Sequence, residues 1–274
     1  MSKSQQKITV IEPKSGWQLI DWTELKEYRD MFYFLVWRDI KVRYAQSVLG
    51  VGWAVIQPVF SMIVFTIVFG NLAKIESDGV PYAIFSFTAL VPWTFFSGSL
   101  TASTGSLNAM ITKIYFPRLI LPIASILSKS VDFGISMVVL FGLLIWFQVV
   151  PTIWILFLPC LIMILMLTSL GFGLWLSALT VQYRDVRYGL HFGVQLLMYA
   201  APVVYPASLV PQQYRLIYSI NPMVGVIEGF RSALLGTNPM PWDFIIIGTI
   251  SAVVLMLTGA LYFKRREKFF ADVI

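Results

Sequence analysis

The chain has 274 residues, 58% of them hydrophobic and only 12% charged, with a net charge of +6 and a mean hydropathy of +0.77. That composition excludes an ordinary soluble domain and defines an integral membrane protein. A single cysteine, Cys160, and a single histidine, His191, exclude a disulfide framework and a Cys- or His-based metal site. In so apolar a chain the basic excess reads as orientation and contact with anionic headgroups, not as nucleic-acid binding.

A bilayer core about 30 Å thick takes about 20 apolar residues per helix, which leaves room for about six spans and no separate soluble domain. Residues 1–51 carry charges throughout and no early apolar run, so we expect no cleavable signal and a cytoplasmic lead. Within it Leu25, Tyr28, Phe32, Leu35 and Val36 recur at three- and four-residue steps, while Lys26, Glu27, Asp30, Arg38 and Lys41 fall largely on the other side. This predicts an amphipathic helix along the membrane surface from Thr23 to Tyr44. It serves either as a plain anchor or as a lever for an intracellular partner.

The apolar pattern places a transmembrane domain over 52–263, with spans at 52–72, 82–105, 119–149, 152–179, 189–204 and 243–263, and a cytoplasmic tail over 264–274. Pro58 predicts a bend in the first span, and the join around Ser47 to Gly52 reads as a hinge. Asn108 to Arg118 is a short polar interlude between spans two and three. The third span carries Lys129 and Asp132, three residues apart, which predicts a self-paired bridge near its cytoplasmic end or a part in gating. Gly171 and Gly173 in span four give a close-packing face, and Gly189-x-x-x-Gly193 in span five has a common helix-contact spacing. Ala207 to Trp242 is amphipathic: one short helix over Gln212 to Ser219 and a second over Met223 to Leu235, capped by Asn221-Pro222, with Glu228 and Arg231 on one face. The fold class expected is therefore an all-α integral membrane protein. It has six transmembrane helices, an N-terminal interface helix and two short re-entrant external helices between spans five and six.

With a cytoplasmic N-terminus, 16 of the 20 Lys and Arg residues fall on inside segments, only Lys74, Arg215 and Arg231 on outside ones, and Lys129 within a span. That satisfies the positive-inside rule. No Gly-Lys dipeptide, H-E-x-x-H or G-x-S-x-G occurs, so the chain is expected to be no enzyme, with no ATPase site of its own, no catalytic residues and no bound metal or cofactor. Aromatic surface is abundant: Trp53, Phe60, Tyr82, Trp93, Phe95 and Phe96 in the first two spans serve as belt and packing residues or, as a set, as a lining for a sliding glycan. Ring faces suit the C–H surfaces of sugars.

The stretches RDMFYFLVWRDIKVRYAQSVLGVGWAVIQP, LVPWTFFSGSL, ITKIYFPRLILP, LWLSALTVQYRDVRY and INPMVGVIEGFRSALLG, in that order, resemble the membrane permeases of type-2 ABC exporters for polysaccharides. The likeness runs from Trp17 to Lys268; the segment between Ser97 and Ile111 is slightly shorter than in that family. The resemblance implies a homodimer in the bacterial inner membrane, with cytoplasmic termini and two copies of a separate cytoplasmic ATPase that binds the ATP and Mg. It implies a lipid-linked polysaccharide as cargo, O-antigen first, with teichoic acid, capsule or a small lipid or drug as alternatives. ATPase coupling would fall on Arg38, Lys41 and Tyr44 and on Ile111, Lys113, Tyr115, Phe116 and Arg118. An external gate would involve Tyr214, Tyr218, Glu228 and Arg231. Arg38, Lys41 and Arg43 would meet the lipid diphosphate or merely anionic lipid.

Overall fold

The computed structural model describes residues 28–45, 49–106, 117–183, 185–267 and Phe270. Among them there is no strand. Five stretches are long and apolar enough to cross a membrane: Gly50–Leu72, Tyr82–Ser106, Ile120–Trp146, Ile153–Gln182 and Trp242–Glu267. In chain order the α-helices are α1 (Arg29–Tyr44), α2 (Trp53–Phe65), α3 (Tyr82–Ser106), α4 (Ile120–Ser128), α5 (Ser130–Trp146), α6 (Leu158–Gln182), α7 (Asp185–Tyr199), α8 (Gln212–Ser219), α9 (Pro222–Leu234) and α10 (Trp242–Glu267).

Helix α3 is the post around which the others stand: 78% of its apolar window is buried, against 11% for the first span. Its many hydroxyls do not spoil that core because they turn back onto their own helix. Thr88 Oγ1 donates to the Ile84 carbonyl at 2.8 Å and Ser103 Oγ to that of Leu100 at 2.9 Å, so these groups are satisfied without water, whereas the buried Ser99 hydroxyl has no partner among the described residues. Small residues set the remaining contacts. A Cβ at Gly171 of α6 would fall 2.7 Å from the Met256 backbone nitrogen, and one at Gly225 of α9 would fall 2.6 Å from the Phe244 carbonyl oxygen. Helix α10 is thereby held backbone to backbone by two neighbours.

The surface helix is present over Arg29–Tyr44, its expected first turn lying outside the described residues. It presents Leu35 inward, 1% exposed, to Ile120, Leu121 and Phe263, while Tyr33, Phe34 and Trp37 stand exposed. Between α1 and the first span, Gly50 takes φ +48°, a turn that a side chain would strain; residues 46–48 of the expected hinge lie outside the described set. The first span runs through Pro58 and widens into a π-helical stretch at Thr66–Leu72.

Three expectations change. The third span is not one helix, since a turn at Lys129, whose N–H donates to the Ile126 carbonyl at 3.0 Å, separates α4 from α5. The fifth expected span is a helix of only 15 residues, Asp185–Tyr199, about 22 Å long at 1.5 Å per residue, and the chain then turns through 200–205. Gly189 and Gly193 meet nothing among the described residues, whereas Gly171 and Gly173 make the contacts expected of them. The second of the two short helices, α9, is buried from Pro222 to Leu234, and its charged residues pair inside the bundle.

Candidate coupling joint and gate

The last turn of α1 reaches the break in the third span. Arg43 Nη1 donates to Asp132 Oδ2 at 2.7 Å and to the Ser128 carbonyl at 3.3 Å, while Nη2 donates to Ser128 Oγ at 3.1 Å. The Tyr44 hydroxyl donates to the other Asp132 oxygen. Burial, then this carboxylate, pushes the Tyr44 pKa up to about 12, so the phenol remains a donor at any physiological pH. Lys129 Nζ lies 3.4 Å from Asp132 Oδ2. The expected Lys129–Asp132 bridge is thus the longer of two contacts, and the closer partner comes from 89 residues away. A charge-assisted guanidinium contact outcompetes the local lysine because its fork serves the carboxylate and Ser128 together. One turn earlier Arg38 pairs with Asp39 at 2.7 Å, and Ser125 Oγ donates to Asp39 Oδ2 at 3.1 Å. Two carboxylates, one on each element, therefore fasten the surface helix to α4 and α5.

Of the other expected coupling residues, Lys41 is exposed, and Ile111, Lys113, Tyr115 and Phe116 lie outside the described residues. Arg118 is held by the end of α10: its Nη1 donates to the Glu267 carbonyl at 2.6 Å and its backbone N–H to Glu267 Oε1 at 3.2 Å. The helix that ends at Glu267 thus meets the chain leaving the loop between spans two and three.

At the far end, Glu228 and Arg231 form the most buried ion pair among the described residues, 2.7 Å apart with the arginine side chain 1% exposed. Arg231 also donates to the carbonyls of Val203 at 3.0 Å and Tyr205 at 3.3 Å, and its guanidinium lies 3.6 Å from the centre of the Phe85 ring. Glu228 Oε1 accepts from the Ala207 N–H at 3.2 Å, and the Tyr82 hydroxyl donates to the Val204 carbonyl at 2.6 Å. Every strong group here faces the turn that follows α7, which is irregular backbone whose carbonyls otherwise have no partner in an apolar bundle. Tyr218 donates to the Tyr205 hydroxyl at 3.2 Å, and burial raises its pKa. Tyr214 is exposed. The Glu–Arg pair was visible in the sequence; Val203, Tyr205 and Phe85, which complete it, had no signal there.

The expected aromatic lining divides. Trp53 and Phe60 are 47% and 65% exposed, whereas Tyr82, Trp93, Phe95 and Phe96 are buried in the core. Phe95 packs edge-on against Phe133 and Phe96 against Phe172, so these rings offer no face to a passing polymer. A second set, absent from the sequence-based selection, stands on α7: Tyr188, Phe192 and Tyr199 are 80%, 65% and 55% exposed. Spaced by four and eleven residues, they fall within about 40° of one helical face. The four- and seven-residue aromatic steps could have revealed them.

Among the described residues no group of three or more His, Cys, Asp or Glu side chains is placed to hold a metal. An apolar helical bundle with a polar joint at one end and a buried ion pair at the other describes a polytopic membrane protein. The ABC-2 type transporter family matches residues 31–235, three quarters of the chain, and the chain belongs to that family. It is 24% identical over 249 residues to the O-antigen export system permease protein RfbA of Klebsiella pneumoniae, covering 89% of this chain and 95% of that one. The Myxococcus xanthus protein of the same name is 26% identical, at 90% and 96% coverage. The polysialic acid transport protein KpsM of Escherichia coli is 22% identical, at 84% and 91%.

Proposed function

We propose that this chain is the membrane subunit of an ATP-driven exporter that moves a lipid-linked polysaccharide, O-antigen in the first instance, across the bacterial inner membrane. It works as a homodimer with two copies of a cytoplasmic ATPase, which carries the ATP and Mg. The observation that supports the reading is the joint: the helix before the first span grips the third span through Arg43, Tyr44 and Asp132, a point at which a push on that helix from a cytoplasmic partner enters the bundle. Near-complete coverage of the O-antigen permeases supports the cargo class; the likeness to the polysialic acid protein supports capsule as a second reading.

Six crossings follow if α7 and the buried turn Ala201–Val204 together make the fifth, which puts both termini on the basic, cytoplasmic side. The glycan then passes between two copies, along the faces that one copy leaves uncovered: the first span with Trp53 and Phe60, and α7 with Tyr188, Phe192 and Tyr199. Closing of the ATPase dimer pushes α1, the joint carries that push into α4 and α5, and the path opens. In a strain lacking this gene, surface glycan labelling should return with the wild-type gene and its ATPase and stay absent when the ATPase is omitted. Glycan appearing without the ATPase would refute the proposal.

A further inference from the structure

The two most apolar spans are those that end in α6 and α10. They touch near their middles, where a Cβ at Gly259 would fall 2.5 Å from the Gly171 carbonyl oxygen. Toward the α9 end they part, because α9 is lodged against both: Gly229 against Leu161 at 2.8 Å and Gly225 against the Phe244 carbonyl at 2.6 Å, measured from an added Cβ. Between the parted halves lies an open groove of about 640 Å³, walled by Phe157, Cys160 and Ile164 on one side and Trp242, Ile246 and Thr249 on the other. The one hydroxyl in that wall is already spent, since Thr249 Oγ1 donates to the Ile245 carbonyl at 2.6 Å. At the mouth Trp242 meets Trp154 and Phe157 edge-on, with ring centres 5.5 and 5.2 Å apart, the kind of amphipathic cluster that sits at headgroup level.

We propose that this groove is a binding site for the acyl tail of a phospholipid whose headgroup rests at the Trp154–Trp242 cluster. From Phe157 to Leu167 the wall runs about 15 Å at 1.5 Å per residue, which is half of a hydrocarbon core about 30 Å thick. An alkyl chain, whose carbons pack at about 3.5–4.0 Å, fits between walls that offer it dispersion contacts and no competing polar group. The site is independent of the cargo and of the export reading.

Cys160, the only cysteine in the sequence, gives the groove a native reporter. The full-length protein is placed in vesicles of phosphatidylethanolamine and phosphatidylglycerol containing a phospholipid with a photoactivatable diazirine midway along one tail. After illumination, adducts mapped by mass spectrometry should concentrate on the groove wall around Cys160 and Ile164. The excess should be several-fold over Val138 and Ile145 of α5, which are 71% and 80% exposed. Ile246→Trp, at an exposed position on the rim, should fill the groove and remove the excess. Adducts distributed in proportion to exposure in the wild-type protein overturn the site whether or not the variant accumulates. Efficient joining of two copies through Cys160 by a bismaleimide would also overturn it, by placing a second subunit in the groove.

Discussion

The molecule holds two clusters of opposite charge built on the same i,i+3 spacing, and they differ in what surrounds them. Glu228 and Arg231 are 7% and 1% exposed; beyond each other, Arg231 answers to two backbone carbonyls and a ring and Glu228 to a backbone N–H. Arg43 and Asp132 are 25% and 26% exposed, and Asp132 is shared by two cations and a phenol. Desolvation decides the difference. A charge inside the bundle has no substitute for its partner, so this pair acts as a rivet for the turn after α7. At the joint the charges are about a quarter exposed and Lys129 stands by as an alternative partner, so Arg43 can leave without stranding a buried charge. A fixed end and an exchangeable end are what a lever needs.

The sharpest break of this comparison is Arg231→Ala, which leaves Glu228 buried without its partner at a cost on the order of 3–5 kcal/mol. The expected outcome is loss of the protein from the membrane fraction, read by immunoblot. Trp93→Ala should come next, since removing a fully packed ring costs about 3–5 kcal/mol; Phe60→Ala, at a 65% exposed position, should accumulate normally. Comparing the two by detergent thermal melting separates core aromatics from surface ones. Below these, Tyr188→Ala with Phe192→Ala should leave folding and ATP hydrolysis unchanged and slow export several-fold, measured as the rate at which labelled glycan appears outside.

The smallest effect is expected from Tyr44→Phe, which removes one of the hydrogen bonds to Asp132. With the folded-state pKa of Tyr44 raised above its ordinary value to about 12, the contribution of this contact is fully present below about pH 10 and is lost as pH rises through 12. A thermal melt of the wild-type protein should therefore fall relative to the Tyr44→Phe variant only in that alkaline window. A difference that instead grew below pH 8 would show that the phenol is not the donor.

The hydrophobic pattern made the spans legible, because a length of apolar residues and a bilayer thickness constrain each other; the bounds of α3 and α10 and the cap at Asn221 agree with the sequence to within a few residues. What was not legible depended on which residues meet across long separations. Nothing near Asp132 distinguishes Lys129 from Arg43 as its partner, since the deciding fork comes from another helix. The same holds for Gly171, which touches α10, and Gly189, which touches nothing among the described residues, although each is a helical glycine with a second glycine nearby. Burial of Trp93 and exposure of Tyr188 likewise follow from the central position of α3 and the peripheral one of α7, and period alone carries neither.

The central claim is that motion enters the membrane path through Arg43 and Asp132. Its direct test is a charge exchange in the assembled complex, comparing Arg43→Asp, Asp132→Arg and the double variant for ATP hydrolysis and for glycan delivered outside the cell. Each single variant should keep ATP hydrolysis and lose most export, and the double variant should recover a substantial part of it. Single variants that export as well as the wild type would contradict the account.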